Sequence, residues 1–303
     1  MKRKHILSTV LMAISLAAAL LCPVAAQAQA QVQGKTLKVV PHANLTVLDP
    51  VWTTAFITRN HGYMIYDTLF GTDLQGQVKP QMVDKWSVSK DNLLWTFTLR
   101  DDLEFHDGKP VTSEDAVASL KRWGSRDSFG GALVRSIDTW ATPDAKTFTI
   151  KLKTPFGVML DALGKPSSNV PFIMPARIAA TPGTEQIKEH IGSGPYKFNP
   201  TDFKPGERVI YTKNEKYKPR PEAANGTTGG KVVKVDRVEW VIIRDAQTQY
   251  NALLAGEVDV VEQPAFEQYA SLKTKKTSRF LTCRRPARSS SSASTICTSR
   301  LTT

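Results

Sequence analysis

The sequence predicts an α/β fold with meandering β additions, on three observations. Period-2 runs such as Trp95, Phe97 and Leu99 alternate along the chain with helix-spaced runs such as Ala116, Val117, Leu120 and Trp123. Strands and helices mix irregularly, without a fixed-period repeat. Between two unusual ends lie roughly 240 residues, enough for one large domain or two modest ones.

Taken in order, Thr36–Val40 alternates into a short strand, and 41–54 is a polar, turn-rich loop. Strands at 86–88 and Leu94–Leu99 flank the turn residues Lys90, Asp91 and Asn92. The run from His106 and Asp107 through Gly108 to Pro110 is a second turn. Thr112 then caps a helix, with Asp115 in the place of a capping-box acid. Residues 148–152 alternate into another strand. Gly192, Ser193, Gly194 and Pro195 punctuate the entry to a strand at Tyr196–Phe198, whose hairpin partner is Arg208–Lys213. A flexible tip is expected at 225–230 and a strand within 232–243. The helix Ala246–Ala255 ends at Gly256, a residue suited to the position just past a helix, and 258–261 is the last strand.

The ends carry the charge. Lys2, Arg3 and Lys4 precede an apolar or small-residue run at 6–21, then Pro23 and a row of alanines. The run is shorter than the ~20 residues a bilayer span needs, so 1–28 is expected to be a secretory signal peptide cleaved after Ala26 or Ala28. A lipid anchor at Cys22 would want a small residue before it, and Leu21 argues against one. The expected location is periplasmic.

The formal charge of +12 would suit a nucleic-acid binder. However, 273–303 holds eight Lys or Arg and no acid, so with the signal set aside the folded middle is left at +1. No clustered basic footprint remains there, and no nucleic-acid partner is expected. From Ser271 on, fifteen of thirty-three residues are Ser or Thr, a composition expected to be disordered. The abrupt change reads as a frame shift near Lys273 rather than a natural tail. The folded middle has no cysteine, so neither disulfides nor thiolate metal sites are expected there.

Five ordered blocks resemble the family 5 extracellular solute-binding proteins, the peptide, oligopeptide and nickel receptors of ABC importers. They begin with Tyr66-Asp67-Thr68-Leu69-Phe70, followed by Trp95-Thr96-Phe97-Thr98-Leu99-Arg100. Next come Phe105-His106-Asp107-Gly108 with Thr112 to Val117, then Gly192-Ser193-Gly194-Pro195-Tyr196-Lys197-Phe198, and last Leu253-Leu254-Ala255-Gly256-Glu257-Val258-Asp259-Val260. The resemblance implies a class II, periplasmic binding protein-like clamshell with an extra subdomain inserted in its first lobe. Lobe I would be 35–75 and 186–262, the inserted subdomain 76–185, and 263–303 the start of lobe II or an aberrant tail. Only the first lobe would be present, the second being largely missing. The acidic residue of lobe II that holds a peptide amino group in such receptors has no matching position. The implied partners are a small solute, a peptide by default, and an inner-membrane ABC permease; the chain would act as a monomer, without cofactor or metal.

The adjacent His106 and Asp107 suggest a hydrolytic dyad, but a polar turn ahead of a helix explains them as well. Gly192-Ser193-Gly194 lacks the glycine spacing of a nucleophile elbow. His42, His61, His106 and His190 contain no i,i+4 pair, so no helical metal motif appears. A secreted hydrolase and a ligand-free, chaperone-like protein are the alternatives to a binding module. The ligand wall is expected in the loop after the first strand, at Asn44, Thr46, Asp49, Trp52, Thr53 and Phe56, where Trp52 offers flat area and an N–H donor. Placing Trp52 and Phe56 in the lobe core is the competing assignment. Ser128, Phe129 and Gly130, read as a loop after the Thr112-capped helix, form a second candidate.

Overall fold

The computed structural model describes residues 34–275, 278–283 and 295–300; the expected signal segment and Cys22 lie outside them. β1 (Thr36–Val40) leads through an irregular loop into α1 (Phe56–Ile65). Three short strands follow, β2 (Asp67–Thr68), β3 (Phe70–Thr72) and β4 (Val78–Pro80), then the longer β5 (Val83–Val88) and β6 (Leu94–Leu99). Next come α2 (Ser113–Gly124), α3 (Ser128–Ser136), β7 (Ile137–Ala141), β8 (Thr147–Leu152), α4 (Met159–Leu163), β9 (Phe172–Ile173) and α5 (Ala176–Ala179). The last described stretch holds β10 (Tyr196–Phe198), β11 (Arg208–Lys213), β12 (Arg237–Val241), α6 (Ala246–Ala255), β13 (Val260–Val261), α7 (Tyr269–Thr274), β14 (Ser278–Cys283) and β15 (Thr295–Arg300).

Two sheets carry the architecture. In the larger, ordered β10-β11-β12-β1-β13-β15-β14, β1 lies parallel to both β12 and β13, with Thr36 opposite Arg237 and Val39 opposite Val260. The smaller is an antiparallel array, β5-β6-β8-β7. Its inner face follows from the period of 2: Phe97 and Phe148, each fully buried, stack with ring centroids 5.0 Å apart. The buried face of α2, with Ala116, Val117, Leu120 and Trp123, joins the same core. That helix starts where the capping box predicts. The Thr112 N–H donates to Asp115 Oδ2 at 2.7 Å, and the Thr112 side chain accepts from the Asp115 N–H. A second core gathers Ile65, Tyr66, Phe172, Tyr211 and Trp240, and a third joins Val40, Leu253 and Val261.

The 192–194 segment joins the two cores. Its Gly194 N–H donates to the Ile65 carbonyl at 3.0 Å, while the His106 N–H donates to the Gly192 carbonyl at 2.8 Å. His106 Nδ1 accepts from the Gly192 N–H at 3.3 Å, which leaves its proton on Nε2, 3.1 Å from the Gly194 carbonyl. The glycines are required by close approach: a Cβ on Gly192 would lie 1.8 Å from the Ile65 carbonyl oxygen. Neither Gly192 nor Gly194 has a positive φ, so close approach and not backbone freedom is what requires glycine here.

Several expectations differ from the structure. The 225–230 tip is anchored, not loose: the Thr227 N–H donates to the Thr72 carbonyl at 2.9 Å, and Thr228 is buried. Its glycines, read as signs of flexibility, serve positive φ at Gly226 and Gly229 beside neighbouring backbone. Ser128, Phe129 and Gly130 form the first turn of α3 instead of a loop, because Asp127 caps the helix through the Gly130 N–H at 2.8 Å. The strand within 232–243 shrinks to β12, with Val232 left exposed. Of the segment from Ser271, expected to lack regular structure, 271–274 continue α7 and 278–283 and 295–300 form β14 and β15, while its remaining positions after 275 lie outside the described residues. Strand pairing uses backbone groups and does not need an apolar side-chain pattern.

Two predictions follow from these packings. Gly192→Ala should cost about 3 kcal/mol by overpacking, read as a lowered urea midpoint; an unchanged midpoint would remove the close approach from the account. Burial, with the His190 charge adding, pushes His61 down to about 3. Burial likewise pushes His106 down to about 4, against the opposing Gly194 hydrogen bond. Both folded values lie below the unfolded ~6.5, so the unfolded chain binds more protons in between. Stability should therefore be complete above about pH 6.5 and fall as the pH drops toward 4. A melting temperature that stays flat between pH 6.5 and 5, above the carboxylate range, would contradict this.

Candidate functional site

Because β1, β12 and β13 run parallel, the loops leaving their carboxyl ends emerge on one side of the sheet, the side where open α/β sheets place ligands. The second residue past β1, His42, and the first past β13, Glu262, meet there. The Glu262 Oε2 accepts from both His42 Nδ1 at 2.8 Å and the His42 N–H at 2.9 Å. Asn60, on α1, donates to Glu262 Oε1 at 3.3 Å and accepts from Arg59 Nε and Nη2 at 3.2 and 2.9 Å. Arg59 also reaches Ser167 at 3.4 Å. Burial opposes ionisation of Glu262, yet the His42 hydrogen bonds and the Arg59 charge outweigh it and hold its carboxyl below the usual range.

The loop after β1 is fixed from within. Asp49 is 1% exposed, and its two oxygens accept from the two terminal nitrogens of Arg122 at 3.1 and 2.7 Å. They also take the N–H groups of Val51 and Ile187, at 3.0 and 3.1 Å. The rest of the Arg122 guanidinium donates to the carbonyls of Thr181 and Glu185. One amide, that of Asn169, donates to the carbonyls of Val51 at 2.8 Å and Thr53 at 3.0 Å. A loop with so many backbone groups satisfied from outside has little freedom to rearrange.

The residues predicted for the wall therefore divide. Asp49 lies inside, holding the loop, and Thr53 shapes it through its carbonyl and through its hydroxyl, which accepts from the Ala55 N–H at 3.2 Å. Asn44 accepts from the Gly206 N–H at 3.1 Å. Thr46 is exposed. Trp52 is half-buried with the Arg126 guanidinium 4.8 Å above its ring, and Arg126 also donates to the Trp52 carbonyl at 3.0 Å. Phe56 opens α1 and is 39% exposed, with Arg59 4.6 Å above its ring, so it is not a core residue. Of the second group, Ser128 is exposed, Phe129 packs near Phe156, and Gly130 lies against the Trp123 indole, where a Cβ would come to 2.9 Å. Arg126, two residues before Ser128, is what links that turn to the Trp52 loop.

Sequence reasoning missed His42, Arg59, Asn60, Arg126 and Glu262. Their partners lie 74 or more residues away except within α1, and the one usable signal was position, just past a predicted strand for His42 and Glu262. His106 and Asp107 do not pair. Both His106 ring nitrogens face backbone groups, and Asp107 lies 3.3 Å from Arg177. A separate cleft of about 710 Å³, lined by Arg100, Glu104, Lys146 and Lys216 among others, shares no residue with the predicted wall. Among the described residues no group of three or more His, Cys, Asp or Glu is placed to hold a metal ion, and no helix is long and apolar enough to cross a membrane.

Comparison with known proteins bears on this geometry. A profile of bacterial extracellular solute-binding proteins, family 5 (middle), matches residues 77–297. A Sinorhizobium fredii protein named as a probable peptide ABC transporter periplasmic-binding protein is 45% identical over 252 residues, 82% of this chain and 47% of its own. Among solved structures, AgaA of A. tumefaciens R10 in complex with agropinic acid is similar at a TM-score of 0.67 and 28% identity, covering 82% of this chain and 48% of that one. The Helicobacter pylori DppA in complex with a peptide gives a TM-score of 0.66 at 21% identity, covering 82% and 50%, a likeness of fold. The chain spans about half the length of the curated relatives it matches.

Arg122→Met or Asp49→Asn alone should destabilise by about 3–5 kcal/mol, since each strands a buried charge or its donors. The paired change Asp49→Leu with Arg122→Met should cost less than the two single effects added. Urea unfolding checks both; additive costs would show that the pair is not acting as a unit.

Proposed function

This chain belongs to the bacterial extracellular solute-binding proteins of family 5, and from that premise we propose that it is the receptor of an ABC importer. It takes a peptide-like solute in the periplasm and hands it to an inner-membrane permease. The observation that carries this reading is the wall at the carboxyl ends of the parallel strands. There Trp52 and Phe56 stand partly open to solvent on a loop whose backbone is held rigid. Apolar rings for contact, a few polar groups for orientation and a fixed frame are what a solute site needs.

In this reading 35–75 and 186–262 form lobe I, with 76–185 inserted, and the chain supplies one wall of a cleft. Closure of a second wall over the ligand shifts an open–closed equilibrium, and the closed form is the one a permease selects. Export is through the signal segment 1–28, removed on the way, and the receptor works as a monomer without cofactor. It performs no chemistry on its solute. The hydrolase alternative has no support in the geometry of His106, whose nitrogens are taken up by Gly192 and Gly194.

Because this chain supplies one wall of the cleft, calorimetric titration with a tripeptide pool should give only weak binding, short of low-micromolar affinity, weakened about tenfold further by Phe56→Ala through loss of ring contact. Unchanged affinity would remove Phe56 from the wall. Binding of none of the peptides would remove the receptor reading, and peptide cleavage abolished by His106→Ala would replace it with the hydrolase.

A further inference from the structure

Resting on the receptor reading, we infer that the solute carries a carboxylate, received by the Arg126 guanidinium where it lies on the Trp52 indole. Arg126 follows α2 in an exposed position, its guanidinium 4.8 Å above the indole and one amino group anchored on the Trp52 carbonyl at 3.0 Å. Among the described residues no carboxylate forms an ion pair with it. The adjacent acid, Asp127, is 5% exposed and committed elsewhere, to Lys165 and to the Gly130 N–H.

The indole beneath is as fixed as the guanidinium. Its backbone lies between the Asn169-held carbonyls of Val51 and Thr53. A guanidinium stacked on a ring and tethered at one nitrogen keeps its remaining N–H groups in a planar fork, the geometry that matches a carboxylate. The ring also removes water from one face, so less hydration is lost when an anion arrives. The surroundings agree in sign. A second guanidinium, Arg59, lies on Phe56 and meets Ser167, and Lys165 of the same segment pairs with Asp127, the residue after Arg126. Arg59, Arg126 and Lys165 together outnumber the neighbouring carboxylates of Asp127 and Glu262, and both of these acids are already hydrogen-bonded. Such a surface favours an anionic group and disfavours a free ammonium.

The carboxylate has two possible sources, a peptide terminus or an acidic side chain. The test is calorimetric titration of wild-type chain and Arg126→Gln with three tripeptide pools: free acids, C-terminal amides without acidic residues, and C-terminal amides with a central Glu. Wild type should bind the free acids or the Glu-containing amides at least about tenfold more tightly than the neutral amides. Arg126→Gln should erase that preference, so that the three pools bind within about twofold of one another, and Arg126→Lys should restore part of it. Preference for free acids identifies the terminus, and preference for the Glu amides identifies the side chain. Equal binding of all three pools by wild type overturns the inference and leaves the receptor reading standing. So does an Arg126→Gln protein that loses affinity for every pool alike. Binding of no pool overturns the receptor reading itself, and this inference with it.

Discussion

The Asp49 carboxylate and the Arg122 guanidinium, both all but removed from solvent, tie together three segments remote in sequence. The loop after β1, the end of α2 and the stretch from Thr181 to Ile187 all donate to or accept from this one pair. Two buried ions repay little of their desolvation by attraction alone. What they supply here is position, because every lone pair and N–H in the arrangement has one partner direction. Trp52 stands three residues from Asp49, so the placement of its ring is set by a contact buried beneath it in the loop.

That arrangement also explains why the wall has two kinds of residue. Some members face solvent with rings partly open, as Trp52 and Phe56 do, while others in the same short run have turned inward to hold the loop. The inward ones use carbonyls and carboxylates, which leaves guanidinium groups as the charged features outside. The His42–Glu262 contact works differently: it joins the segments just after two parallel strands and gives the Glu262 carboxylate two hydrogen bonds from one residue.

Much of the fold was legible because its signals are local. The Thr112–Asp115 capping box, the alternation through Phe97 and Phe148, the hairpin of β10 and β11, and the left-handed Gly256 that ends α6 each depend on residues within a few positions. Reading failed where the determining partner was distant. Nothing near Gly226 says that Thr72 will receive the neighbouring Thr227 N–H, and glycine there looked like looseness. The helical turn at Ser128 depends on Asp127 as cap and on the Trp123 face that Gly130 fits, so a polar, glycine-containing run read as a loop. At the candidate site, the sequence pointed to Trp52 and Phe56, and the structure leaves both rings partly exposed. Their guanidinium partners differ in this respect: Arg59 was three residues from Phe56, whereas Arg126 lies 74 positions from Trp52 and had no local signature.

The parallel pairing of β1 has a kinetic consequence. Its first residue, Thr36, lies opposite Arg237, and its other neighbour begins at Val260. On a ribosome, the opening strand of the larger sheet would therefore wait for about two hundred residues to emerge before either partner exists, a span over which loop closure is slow. Until then the segment that becomes the centre of the sheet stays extended and unpaired. A chain built this way remains threadable for most of its synthesis and commits to its central sheet late, a temporal order well matched to passage across a membrane before folding.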